Sequence, residues 1–145
     1  MPFVSITRLR IRALRFLPQF YFYAMRSSRQ AKHAPGYLGG SLLADRKRTF
    51  WTMTLWRDQA DMRRYMASGA HLKAMPKLMH WCDEASIVHW NQDDAQAPDW
   101  AEADRRMRAE GRPSKVRHPA QGHLDLSYAT PRTNAAVPLS AARAT

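Results

Sequence analysis

The stretch Thr49-Phe-Trp-Thr-Met-Thr-Leu-Trp56 constrains this chain more than any other. Its threonines and aromatic residues favour a strand. Successive side chains of a strand point to opposite faces. Trp51, Met53 and Leu55 therefore line one face, and Phe50, Thr52, Thr54 and Trp56 line the other. A sheet covered by helices on one side only should show polar residues outward. Here the second face is too apolar for water, and the simplest cover is another copy of the same sheet. The pattern predicts a homodimer built through the sheet face.

The neighbouring segments supply the rest of a small α+β domain. Phe3 to Arg12 is rich in β-branched residues and reads as a first strand. Pro18 suits the first turn of a helix, where its missing N–H is no loss, and Ala34-Pro35-Gly36 stops that helix. Tyr37 to Ala44 reads as a strand weakened by Gly39-Gly40, and Asp45-Arg46-Lys47 makes the turn into Thr49. Asp58 is placed to cap a short helix carrying Met62, Tyr65 and Met66, which Ser68-Gly69 ends. A further helix is predicted from about Ala70 to Glu84, with His71, Met75, Leu78 and Cys82 on one stripe and Pro76 kinking its first turns. Ser86 to Trp90 supplies a last short strand. The order β-α-β-β-α-β is the ferredoxin-like arrangement. Residues 1–97 are read as this domain and 98–128 as a C-terminal helix and extension. Residues 129–145, rich in Ala, Pro and Thr, are read as a disordered tail.

Charge is distributed unevenly. The net formal charge is +11, and the first 48 residues hold ten basic side chains against one acid, Asp45. Such asymmetry points to a nucleic acid, an anionic membrane surface, a cleaved targeting segment or simply a solvated basic face. Loss of an N-terminal leader would also remove the first strand. The longest charge-free stretch tested, Phe16 to Met25, is too short to span a bilayer, which takes about 20 residues. A single cysteine, Cys82, excludes an intrachain disulfide framework and favours a reducing compartment, so the expected location is cytoplasmic.

Few residues suggest chemistry. The histidines (33, 71, 80, 89, 118 and 123) include no i, i+4 pair and no accompanying cysteine at ligand spacing, so no metal site is expected. No phosphate-binding glycine loop and no Gly-x-Ser-x-Gly element occurs. His71 stands out because its helical stripe faces inward, beside the aromatic strand ending at Trp56. A half-buried imidazole there can act as a general base, or it can merely cap the helix or satisfy a carbonyl. The RNA-recognition fold shares this strand order and stacks bases on third-strand aromatics. Its signature needs Lys/Arg-Gly-aromatic-Gly/Ala-aromatic, whereas Arg48-Thr49-Phe50-Trp51-Thr52 lacks the glycine and the second aromatic. No specific nucleic-acid partner is expected.

Three segments carry a family likeness: Arg26 to Tyr37, Phe50 to Asp58, and Tyr65-Met-Ala-Ser-Gly-Ala-His-Leu-Lys-Ala-Met75. Together they resemble the antibiotic biosynthesis monooxygenase-like proteins, including spheroidene monooxygenase-like members, over roughly Phe3 to Trp90. The resemblance implies a ferredoxin-like protomer forming a dimeric α/β barrel, with a pocket between sheet and helices. It implies a small-molecule monooxygenase-like oxidoreductase acting on an apolar or aromatic substrate, needing no cofactor or else haem. In that reading His71 is catalytic, Trp56 and Tyr65 shape the pocket, and Arg29 holds an anionic substrate group. The alternatives are a non-catalytic ligand- or haem-binding dimer and a basic nucleic-acid-associated protein. Haem-degrading relatives have a Trp in the short helix, a later His and a first-strand Asn. Here Tyr65 and Met75 fall at the first two places, and Ser5 and Thr7 stand near the third.

The failed signature gives a first test. Binding to nucleic acid should be non-specific and should fall steeply with salt, because counterion release supplies it. Sequence-selective retention near about 0.2 M salt would show a recognition surface that this sequence does not encode.

Overall fold

The strand that opens the chain, β1 (Phe3–Ile11), lies between two antiparallel partners in the computed structural model, which describes residues 1–142. A 3-10 turn (Leu14–Phe16) leads into α1 (Leu17–His33), and β2 (Tyr37–Asp45) and β3 (Thr49–Trp56) form a hairpin. Then follow α2 (Gln59–Met66), α3 (Gly69–Trp81), β4 (Cys82–Asn91) and α4 (Trp100–Glu110). The central order β4-β1-β3-β2 is the ferredoxin-like, α+β arrangement. Two short pieces, β5 (Arg112–Pro113) and β6 (Ala136–Pro138), pair with β4 and β2 at its edges.

Local chemistry explains most boundaries. The Asp58 carboxylate accepts from the Asp61 N–H and caps α2, and Asp99 does the same for α4 through Glu102. Pro18 lies in the first turn of α1, and Gly36, at φ +82°, carries the chain out of that helix into β2. Pro76 lies within α3 without ending it. The boundary after α3 differs from the sequence pattern. Residues 82–84 belong to β4, where Cys82 pairs with Ile11 and Glu84 with Arg10. Trp81, Cys82 and Ala85 are all buried, so their spacing mimicked a continuing helix stripe.

Both faces of the sheet are covered. On one side Phe3, Tyr37 and Trp56 pack with Ala31 and Met62, while Ile11 packs with Phe20 and Trp81. On the other, Val4, Ile6, Trp51, Met53 and Leu55 pack with Ala103 and Met107 of α4, joined by Trp100 and Tyr128. Trp51 meets Trp100 and Tyr128 edge-on, at 6.2 and 5.7 Å between ring centres. Both faces of β3 are thus covered within one chain, that of Phe50 and Trp56 by α1, α2 and α3 and that of Trp51, Met53 and Leu55 by α4 and Tyr128, where the sequence reading assigned a second copy. The apolar ground for a sheet-to-sheet dimer is thereby removed.

The C-terminal segment departs from expectation too. Residues 129–142 are not a loose tail: β6 pairs with β2, and Leu139 is buried among Phe3, Tyr37, Trp56 and Met62. The Tyr37 hydroxyl donates to the Leu139 carbonyl at 2.6 Å. The last three positions of the expected tail, 143–145, lie outside the described residues. Burying one leucine contributes about 1.5–3 kcal/mol, so a chain ending at Asn134 should lose more than about 4 °C in Tm. An unchanged Tm would show that this segment does not hold the fold.

Candidate functional site

The junction between α2 and α3 is fastened to α1 by one side chain, Gln30. Its amide nitrogen donates to the carbonyls of Tyr65 and Ser68, and its Oε1 accepts from the His71 N–H at 3.0 Å. Gly69 sits against this amide with φ +59°, and a Cβ there would come within 3.0 Å of the Gln30 side chain. A side chain at this place would be strained on both counts. Ser68 stands at the N-cap of α3 but makes no cap bond; its hydroxyl donates to the Arg64 carbonyl at the end of α2 instead.

This junction sets His71 beside Tyr65, with ring centres 4.8 Å apart, and Tyr65 in turn lies 5.1 Å from Trp56. Tyr37 closes the row behind Trp56 at 5.1 Å. The Tyr65 hydroxyl donates to the Ser27 carbonyl, which fixes the ring, and burial raises its pKa well above the ordinary tyrosine value. Trp56 is fully buried, and its indole N–H has no partner among the described residues. The structure thus gathers Trp56, Tyr65 and His71 into one aromatic row.

His71 is held in a defined state. Its Nδ1 lies 3.2 Å from the Met66 carbonyl, a contact only a protonated Nδ1 can make favourably. In the neutral ring this leaves Nε2 as the free acceptor. Burial lowers the His71 pKa below 6.5, opposed in part by the bond to Met66. His80, nine residues further along α3, packs against Phe16 and His118 and lies 3.4 Å from the Arg12 guanidinium.

A groove of about 620 Å³ opens between the end of α1 and the α2–α3 junction. Arg26, Arg29, His33 and Arg64 surround it, and Gln30 and Tyr65 form part of its wall. Asp61 lies at its floor, fully buried, and is paired with Arg57 at 2.9 Å and Arg64 at 3.0 Å. Arg29, expected to hold an anionic substrate group, stands at the groove. Trp56 and His71 stand behind Tyr65 and do not line the groove. Gln30 and Asp61 escaped the sequence reading, because a glutamine and an aspartate on helices look like solvated residues until their neighbours are known.

No group of three or more His, Cys, Asp or Glu side chains that could hold a metal is found among the described residues. A haem in the groove would need a ligating side chain facing it; His71 does not face it, and the Tyr65 hydroxyl, which lies in its wall, is engaged by the Ser27 carbonyl and kept protonated by burial. His33 does, but it is exposed and tied through Nδ1 to the Arg29 carbonyl. These residues do not fit a buried haem site.

The state of His71 is measurable. The folded chain binds fewer protons here than the unfolded chain at slightly acidic pH, so acidification through 6.5 and below erodes stability. The imidazole should titrate with a midpoint below 6.5 in a histidine-resolved NMR titration. A midpoint at or above that value would show an exposed or carboxylate-paired ring.

Comparison with known proteins agrees with this architecture. SnoaB from Streptomyces nogalater, described as a cofactor-independent oxygenase, superposes with a TM-score of 0.53 at 16% identity, over 64% of this chain and 94% of that one. Rv0793 from Mycobacterium tuberculosis gives 0.58 at 11% identity, over 66% and 100%. A protein described as an antibiotic biosynthesis monooxygenase gives 0.56 at 15% identity, over 63% and 99%. The likeness to the antibiotic biosynthesis monooxygenases read from the sequence holds at the level of fold. No curated protein matches the chain. One family model, described as a domain of unknown function (DUF3291), matches residues 19–113, about two thirds of the length. The chain belongs to the DUF3291 family.

Proposed function

We propose that the chain is a cofactor-independent, monooxygenase-like oxidoreductase acting on a planar apolar or aromatic small molecule. The observation that carries this reading is His71: a half-buried imidazole, tied through Nδ1 to a carbonyl and packed at a tilt against Tyr65, with Nε2 free. Such a group is a base near pH 7. The neighbours of known fold supply the reaction type, since SnoaB is described as a cofactor-independent oxygenase.

A substrate with an acidic CH₂ group gives up one proton to His71 Nε2, and the resulting carbanion adds O₂ to form a carbon–oxygen bond. Loss of the second C–H proton with cleavage of the O–O bond leaves a carbonyl and releases water. The balance is CH₂ + O₂ → C=O + H₂O, with the substrate as its own reductant. Because Tyr65 stands between His71 and the groove, this step requires the flat substrate to enter beside His71, against the edge of Tyr65 with Trp56 packed behind, while Arg29 at the groove draws the oxyanion of an ionised substrate. Every group named comes from one protomer, so the reading does not depend on a homodimer.

Anthrone is a suitable probe, because it is flat and carries one acidic methylene. The protein should consume one O₂ per anthraquinone formed. His71→Ala should lower the rate by about 10²–10⁴, while His80→Ala, at the far end of α3, should retain it. Equal rates for His71→Ala and the parent protein, both folded, would refute the assignment. Should His71→Ala fail to fold, His71→Asn keeps the Nδ1-side contact with a side-chain amide and tests the same step.

A further inference from the structure

The outward side of the α1–α3 layer combines two properties that a water-facing surface rarely combines. The first is apolar exposure. Leu14, Phe22 and Met25 are 69%, 55% and 73% exposed, and Leu72 and Met75 are 51% and 41% exposed. Phe22 and Met25 are three residues apart on α1, as are Leu72 and Met75 on α3, so each pair shares a helix side. Tyr23 lies against Trp81 and Gln30 against His71, which makes α1 and α3 antiparallel neighbours. Single exposed apolar residues are ordinary, but a group of them on one layer marks an interaction surface.

The second property is charge of one sign. No Asp or Glu occurs before Asp45 or between Met62 and Cys82, so the 3-10 turn, α1 and α3 are free of acids. Arg15, Arg26, Arg29, Lys73 and Lys77 have no carboxylate partner among the described residues. Several cations elsewhere are paired: Arg8 and Arg10 with Asp83 and Glu84, and Arg106 and Arg108 with acids of α4. The Arg26 guanidinium lies 5.5 Å from the centre of the Phe22 ring, and the Lys77 ammonium 5.5 Å from that of Tyr23. Charged heads therefore sit beside the apolar studs.

From this we infer that the outer face of the α1–α3 layer docks peripherally on an anionic lipid bilayer. Charge complementarity selects an anionic partner, and the studs select one with an apolar interior below its charges. A nucleic acid satisfies the charge but leaves Leu14, Met25 and Leu72 in water. A bilayer takes both, with aliphatic and aromatic side chains at the headgroup boundary and Arg and Lys among the phosphates. Among the described residues no helix is long and apolar enough to cross a membrane, so the contact is with the surface. This goes beyond the reaction proposed above and stands whether or not His71 is a base.

Vesicle co-sedimentation of the full chain tests it. Vesicles of phosphatidylcholine with about 30% phosphatidylglycerol should be bound at least about tenfold more tightly than phosphatidylcholine alone. Phe22→Ser with Met25→Ser should weaken that binding about fivefold or more with Tm unchanged, because both side chains are already in water. Lys73→Glu should weaken it too, and added salt should act in the same direction. Absence of binding to the anionic vesicles would overturn the proposal. So would binding that the double variant leaves intact, above all if poly-uridylate is bound as tightly, since the surface would then be a general polyanion site.

Discussion

Neither face of β3 can be left to water, and the remaining elements are arranged around that constraint. Trp51, Met53 and Leu55 are at most 2% exposed on one side, and Trp56 is fully buried on the other. Leaving the first three uncovered would forfeit about 1.5–3 kcal/mol each, together an upper estimate of several kcal/mol. Total stabilities of domains this size are only about 5–15 kcal/mol. Covering that face is therefore a condition of folding, and α4 with Tyr128 meets it within one chain. The segment after β4 belongs to the core in the same sense as α1 does.

The α2–α3 junction shows how fold becomes site. Gln30 spends three hydrogen bonds on backbone groups of Tyr65, Ser68 and His71, so one side chain of α1 fixes the relative placing of two helices. Asp61 does the equivalent below, buried and bracketed by Arg57 and Arg64, with Gly36 passing so close that a Cβ would overlap its carboxylate. A buried carboxylate without such partners would cost several kcal/mol. The aromatic row stands on this polar footing, and the free Nε2 of His71 follows from the Nδ1 contact that the footing imposes.

Much of this architecture was legible in the sequence, for identifiable reasons. β3 was read to its last residue because alternation and β-branched content agree, and α1 because Pro18 and Ala34-Pro35-Gly36 mark both ends. The α3–β4 boundary was not, since Trp81, Cys82 and Ala85 are buried by different elements yet fall at helical spacing. Residues 136–139 were missed because strand β6 is held by backbone bonds to β2, which any composition can make, and by the single side chain Leu139. Intrachain cover was missed because polarity reveals that a face is buried and not by which copy. His71, Tyr65, Trp56 and Arg29 were singled out through their residue types; Gln30 and Asp61 act on the fold through position, which sequence pattern does not carry.

The charge of the chain gains meaning only after such pairings are assigned. Arg8 is buried against Glu84 at 2.6 Å and stacked over Tyr128, and Arg10 grips Asp83 through two hydrogen bonds. These two arginines come from the basic N-terminal third, yet they work on the α4 side of the sheet as neutralised pairs. The strand places them there by alternation, since Val4, Ile6 and Arg8 share that face. Asp83 and Glu84 of β4, Asp61 at the floor of the groove, and Glu102, Asp104 and Glu110 of α4 each pair with an arginine. Helices α1 and α3 carry no acid. The cations of α1 and α3 are thus left without a carboxylate partner among the described residues. A formal +11 argues by itself only for solubility; two helices free of acids, with cations beside exposed Phe22 and Met25, set this face apart from the rest of the surface.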